Sequence, residues 1–264
     1  MSDGTSKQTA GAFEVALRPP AAGEPLRWIA LGWRDFTRAP AIGLFFGACF
    51  MLMGWTLLKV FESAPAYVLA LSAGFLLVGP FLCMGLYHAS RALEHGDRPD
   101  LPGALLAWRR KADTLAIFGV VLLVLELLWA RASLVVFAVT FDGMPDFKGS
   151  ILKLLEFANV NFIAAYVGVG GVFAAVIYAV SVISIPMILD RQTDAITAGL
   201  TSIRLVLNAP LAMLFWGALI TALVVVAMLP WFAGLLVAGP VLGHASWHAY
   251  RAAVVPLIGV SDAA

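Results

Sequence analysis

Six nearly uninterrupted apolar runs, parted by short polar segments, set the pattern of this chain. They cover residues 42–61, 66–91, 114–140, 160–189, 209–229 and 231–251. Each is long enough to cross about 30 Å of hydrocarbon at about 1.5 Å per residue. The second, third and fourth exceed the minimum, which predicts tilt or short extensions into the headgroups. The turn between the fifth and the sixth, Met228-Leu229-Pro230-Trp231, is nearly absent, so these two are expected to form a tight hairpin.

Between the runs lie amphipathic stretches. Residues 25–38, PLRWIALGWRDFTR, place Leu26, Ile29, Trp33 and Phe36 at helical spacing. Arg27, Arg34, Asp35 and Arg38 fall largely on the other side. This predicts a short helix lying on the membrane surface, tryptophan at headgroup level and arginines toward phosphates. Ala39-Pro40 ends it. Residues 1–25, rich in Gly, Ala, Pro and Ser, read as a disordered tail without a cleavable signal peptide. Residues 26–255 then form one membrane domain, and 256–264 a second tail.

The pattern also repeats. AGFLLVGPFLCMGLYHASR at 73–91 and AGLLVAGPVLGHASWHAYR at 233–251 stand 160 positions apart and share Ala-Gly, Gly-Pro and His-Ala-x-Arg. Ile203-Arg204 precedes Pro210 as Trp33-Arg34 precedes Pro40, and Trp108-Arg109 stands ahead of the third run. The repeating unit reads as a surface helix followed by a two-span hairpin, used three times. In the diverged middle copy, Ile185-Pro186 and Asp190-Arg191 take the place of Gly-Pro and His-Ala-x-Arg. A twofold repeat of the outer pair is the alternative.

Composition agrees with the pattern. Of the 264 residues, 61% are apolar and only 12% charged, with a mean hydropathy of +0.92; soluble domains carry about 25% charged residues. The fold class is therefore all-α, a polytopic helical membrane protein with six transmembrane helices in three hairpin repeats and cytoplasmic amphipathic helices. A net charge of +1 argues against a nucleic-acid partner. Of the 17 Lys and Arg residues, all but Lys59, Lys148, Lys153 and the intraspan Arg131 fall on the side shared by both termini. The positive-inside rule then makes both termini cytoplasmic.

Several stretches resemble a family of six-helix integral membrane proteins from proteobacteria, catalogued as domain of unknown function 2189. The matching pieces are Trp129-Ala130-Arg131-Ala132, the run from Ser184 to Arg191 (SIPMILDR), Ser202-Ile203-Arg204 with Asn208, and GPVLGHASWH from Gly239 to His248. The resemblance spans roughly residues 25–255 and implies a helical fold in the inner membrane of a bacterium, with no established activity. Family members sometimes carry the label of a putative cytochrome oxidase subunit I. A haem-copper catalytic subunit needs more imidazoles than the four of this chain, so that label does not transfer.

Few residues could carry chemistry. His244 and His248 share one helical face a turn apart, and His88 is the repeat equivalent of His248. Together they are a candidate interfacial site for metal or haem; the structural alternative is hydrogen bonding between helices, helped by Ser90, Ser246 and Trp247. Glu126 is the one acid deep in a span, and Arg131 follows five residues later, about 140° around the helix. Each ionised group there costs about 2.5–3.5 kcal/mol, so a polar path and a buried packing pair are the competing readings. Asp190, Arg191, Asp194 and Arg204 mark the cytoplasmic exit of the fourth span and are expected to form an ion-pair network with Arg34 or Arg109. Gly43 and Gly47 permit close helix approach. No catalytic motif, nucleotide fingerprint or resident cofactor is expected. The expected partners are the lipid bilayer, and subunits of a larger membrane complex or further copies of this chain. A non-catalytic accessory or organising role is the first functional expectation. A transporter or channel using Glu126 and Arg131 is the second.

Overall fold

The structure, a computed structural model, describes residues 15–63, 68–140, 160–191 and 193–255. Lys7, Lys148, Lys153 and the tail 256–264, all used above, lie outside these residues. The described chain is all-helical apart from one isolated β-bridge. Its helices are α1 (Glu24–Arg38), α2 (Pro40–Ser63), α3 (Val68–Glu94), α4 (Leu101–Leu106), α5 (Ala112–Thr140), α6 (Val160–Ser181), α7 (Ser184–Asp190), α8 (Ala195–Asn208), α9 (Pro210–Met228) and α10 (Leu235–Ala253). A 3-10 segment, Ala107–Lys111, joins α4 to α5. Among the described residues, four stretches are long and apolar enough to cross a membrane: Pro40–Ser63, Leu101–Thr140, Val160–Asp190 and Pro210–Met228.

Of the six expected spans, the second and the sixth, α3 and α10, are not among them, and the packing of α10 shows how it accommodates its polar residues. It touches α1, α2, α3, α7 and α9 and buries Val241 through Ala245 together with Trp247, Ala249 and Tyr250. Surrounded by protein rather than lipid, it can carry His244, Ser246, His248 and Arg251 without facing hydrocarbon. The apolar spans are the outer helices. Between 11% and 33% of their most apolar windows is buried, and the rest is free to face acyl chains.

The surface helix α1 differs from expectation. Its main partner is α10, and the face it buries is Trp28, Gly32, Asp35 and Phe36. Leu26 and Trp33 stay more than half exposed. The close approach needs a glycine: a Cβ on Gly32 would lie 2.5 Å from the Val241 carbonyl oxygen and 2.7 Å from the Ala245 nitrogen. Trp28 then meets Trp216 of α9 edge-on, centroids 5.5 Å apart. The helix is thus docked against the bundle, and its exposed flank runs from Leu26 to Trp33.

The amino-terminal tail is also corrected in part. Leu17 bridges Val254, the Arg18 amide donates to the Ala253 carbonyl and the Val255 amide to Ala16, so residues from Val15 onward are pinned beside the end of α10. The fourth apolar run is interrupted at Val182-Ile183, where α6 gives way to α7 and the Ile183 amide points at the Ser202 hydroxyl.

The expected hairpin between α9 and α10 is tight. Trp231 and Phe232 take left-handed conformations, φ 54° and 63°. The Gly234 amide returns to the Ala227 carbonyl, and the Trp55 indole donates to the Trp231 carbonyl at 2.6 Å. The entries to α2 and α9 match one another: Ala39 (φ −128°, ψ 56°) and Ala209 (φ −134°, ψ 57°) each precede the proline that opens the next helix.

Candidate functional site

Polar groups of the bundle gather near the C-terminal ends of α3 and α10 in two clusters. The first joins α1, α3 and α10. Asp35, 2% exposed, accepts from the Ser90 hydroxyl at 2.9 Å and from His248 Nε2 at 2.7 Å on the same oxygen, Oδ2. Ser90 Oγ also lies 2.8 Å from His244 Nδ1. A carboxylate only accepts and serine has one proton, so with that proton on Asp35 the His244 Nδ1–H must be the donor to Ser90. His244 Nε2 is then a buried acceptor without a hydrogen-bond partner among the described residues. Burial works against the Asp35 charge. The His248 hydrogen bond and charge, the Ser90 hydroxyl and nearby His244 outweigh it and hold the carboxyl below its ordinary value of 3.8.

The residue types of a serine hydrolase triad are present here, but the bonds run the other way. The hydroxyl proton faces the carboxylate rather than an imidazole base, and both Ser90 and His244 are fully buried. An activated nucleophile needs the base and a substrate within reach. This cluster instead fastens α1 to α3 and α10.

The second cluster centres on Asp190, at the end of α7. Arg91 Nε approaches its Oδ1 at 3.4 Å, and Arg251 approaches Oδ2 at 3.7 Å. The Tyr250 hydroxyl donates to Oδ2 at 2.7 Å and receives Arg191 Nε at 3.0 Å. Arg191 also donates to the Val255 carbonyl at 2.7 Å. Glu94 pairs with Arg251 at 2.9 Å and accepts the Trp247 indole at 3.1 Å. Arg91 and Arg251, the arginines of the two His-Ala-x-Arg pieces, both reach Asp190, the last residue of α7.

The expected network is therefore reassembled with different members. Asp190 and Arg191 belong to it, joined by Arg91, Glu94, Tyr250 and Arg251. Arg34 instead lies 3.9 Å from its neighbour Asp35, and Arg109 stands exposed on the 3-10 segment. Asp194 caps α8, accepting from the Ile196 and Thr197 amides at 3.0 and 2.9 Å. Burial opposes its charge, but those bonds hold its carboxyl low. Arg204 is half-buried on α8.

The histidine trio does not assemble. Positions 88 and 90 are 200° apart on a helix, so with Ser90 turned to α1 and α10, His88 faces Gly103 of α4. His244 and His248 meet Ser90 and Asp35 instead. Among the described residues no three His, Cys, Asp or Glu side chains converge as metal ligands. Glu126 and Arg131 also part. Glu126 is 8% exposed with Oε2 unbonded among the described residues, whereas Arg131 is exposed.

Asp35 is the residue that sequence reasoning missed, because it sits among arginines on the supposedly solvated side. The available signal was its register: Trp28, Gly32 and Asp35 lie four and three apart, one helical face. Glu94 and Tyr250 gave no comparable sign.

The family model described as "Predicted integral membrane protein (DUF2189)" matches residues 68–190. This is the family the sequence resembles, over a shorter stretch: the pieces at 202–208 and 239–248 fall outside it. No curated protein and no solved structure matches the chain. The chain is an integral membrane protein with several helices long and apolar enough to cross a membrane.

Proposed function

We propose that this protein is a non-catalytic accessory or organising component of a bacterial inner membrane. It would cross that membrane six times, as three parallel hairpin repeats with both termini in the cytoplasm. The carrying observation is the convergence of Arg91 and Arg251 on Asp190. The bundle's charges close its cytoplasmic end against itself, where a transport path would need them along its length. The matched geometry at Ala39 and Ala209 supports the repeat. The encasement of α10 supports a sixth span despite its polar residues.

Native mass spectrometry of the protein gently extracted from its own membrane tests this reading. A stoichiometric partner subunit is expected. A lone species carrying only lipid would sink the accessory role.

One observation favours a second reading, transport of a small solute or lipid. Glu126 is buried in α5 with an unbonded oxygen, at a cost that a functional site would explain. Loss of solute flux in reconstituted vesicles on Glu126→Gln, at unchanged expression, would establish it. Arg131, facing outward, is no longer a natural member of that path.

A further inference from the structure

A cleft of about 570 Å³ opens between α3, α5 and the α4–3-10 segment. Its lining is apolar throughout. Phe46 and Phe81 contribute to it, Gly85 and Gly119 widen it, and Leu105 and Trp108 stand at its edge, each more than two-fifths exposed. The volume falls within the roughly 300–1,000 Å³ of small-molecule sites. Such a cleft facing the bilayer would take a hydrocarbon chain.

What distinguishes it from any lipid-facing groove is the charge at its cytoplasmic end. The 3-10 segment carries Arg109, Arg110 and Lys111 directly after Trp108. With three residues per turn, positions i and i+3 of a 3-10 helix point the same way. Lys111 is therefore carried on the same side as Trp108, whose ring borders the cleft. Arg109 and Arg110 are exposed, and none of the three cations makes an ion pair among the described residues. Asp113, exposed in the first turn of α5, is the nearest acid along the chain and balances only one of them.

We infer that this cleft is a binding site for one anionic phospholipid of the cytoplasmic leaflet, its acyl chain between α3 and α5 and its phosphate at Arg109, Arg110 and Lys111. Guanidinium groups bind phosphate through paired charge-assisted hydrogen bonds, and Trp108 sits where an indole favours the headgroup boundary. The inference rests on the membrane character of the chain and, for the leaflet, on the orientation proposed above; the choice between the accessory and the transport reading does not decide it.

The test uses the full chain in detergent, offered equal amounts of phosphatidylglycerol and phosphatidylethanolamine with identical acyl chains and read by native mass spectrometry. One basic side chain near an anionic headgroup is worth roughly a fivefold preference. The wild type should therefore retain phosphatidylglycerol over phosphatidylethanolamine by at least about fivefold. Replacing all three cations (R109Q, R110Q, K111Q) should bring the two lipids near parity. Ala116→Trp, which fills the cleft from an exposed position, should lower retention of both. The single substitutions give the same readout, in smaller steps, should the triple variant not survive purification. Equal retention by the wild type would overturn the inference. So would a preference that persists without the cations, or a dimer that excludes lipid from this face.

Discussion

Gly32→Ala is the sharpest test of how α1 is held. The added methyl would sit 2.5 Å from the Val241 carbonyl oxygen and 2.7 Å from the Ala245 nitrogen, where ordinary contact begins at 3.4 Å. Both neighbours are backbone atoms of α10, so no side chain can swing aside. The α1 helix must retreat by the difference, about 0.9 Å, and a gap of that size forfeits a quarter to a half of each dispersion contact it opens. The edge-on contact of Trp28 with Trp216 opens with it. Overpacking of this kind costs about 1–3 kcal/mol, while alanine in a helix interior returns about 1 kcal/mol over glycine. With the ring contact, worth about 0.5–1.5 kcal/mol, included, the net expectation is a loss centred on about 2 kcal/mol, a factor of roughly 30 in an opening equilibrium. Hydrogen exchange of the α1 amides in detergent should therefore accelerate by that factor. Gly79→Ala is the internal control. It also lies within a helix but meets nothing within 4 Å, so only the propensity gain remains, about 0.5–1 kcal/mol of stabilisation. Wild-type exchange rates in Gly32→Ala would refute the account of the α1–α10 contact.

The buried carboxylate and the strained turn can each be tested by substitution. Asp35→Ala leaves Ser90 and His248 without their acceptor and should cost about 2–3 kcal/mol, read as a lower melting temperature and faster α1 exchange. The folded Asp35 carboxyl lies below 3.8, so its stabilisation is complete above that pH and fades as pH falls through the folded value; in a pH series the stability gap between wild type and Asp35→Asn should stay constant above that range and narrow only within it. At the α9–α10 turn, Trp231 has φ 54° and lends only its carbonyl to Trp55, so Trp231→Gly should relieve about 1 kcal/mol. Phe232→Gly should instead destabilise by about 1–2 kcal/mol, because that ring packs on Gly54. A thermal melt that ranks the two turn variants the other way would contradict the geometry.

The helical content and the apolar spans could be read from the chain because they depend on local quantities: the length of an apolar run, a proline at its entry, a count of charges. The hairpin at 228–234 was legible for the same reason, there being no residues to build a longer loop. Which face of a helix meets protein is a different kind of fact. Leu26, Ile29, Trp33 and Phe36 make the better apolar stripe, yet Trp28, Gly32 and Asp35 are what α10 receives, because Gly32 lets the backbones close and His248 and Ser90 satisfy the carboxylate. Likewise Arg34 and Arg109 were plausible partners for Asp190 by charge alone; the tertiary structure chose Arg91 and Arg251, whose helices end beside it. The sequence by itself determined what must lie in a membrane, since hydrophobicity adds along a run. Only the tertiary structure decided which polar groups meet, since a hydrogen bond is made within about 3 Å and that distance is set by how distant helices pack.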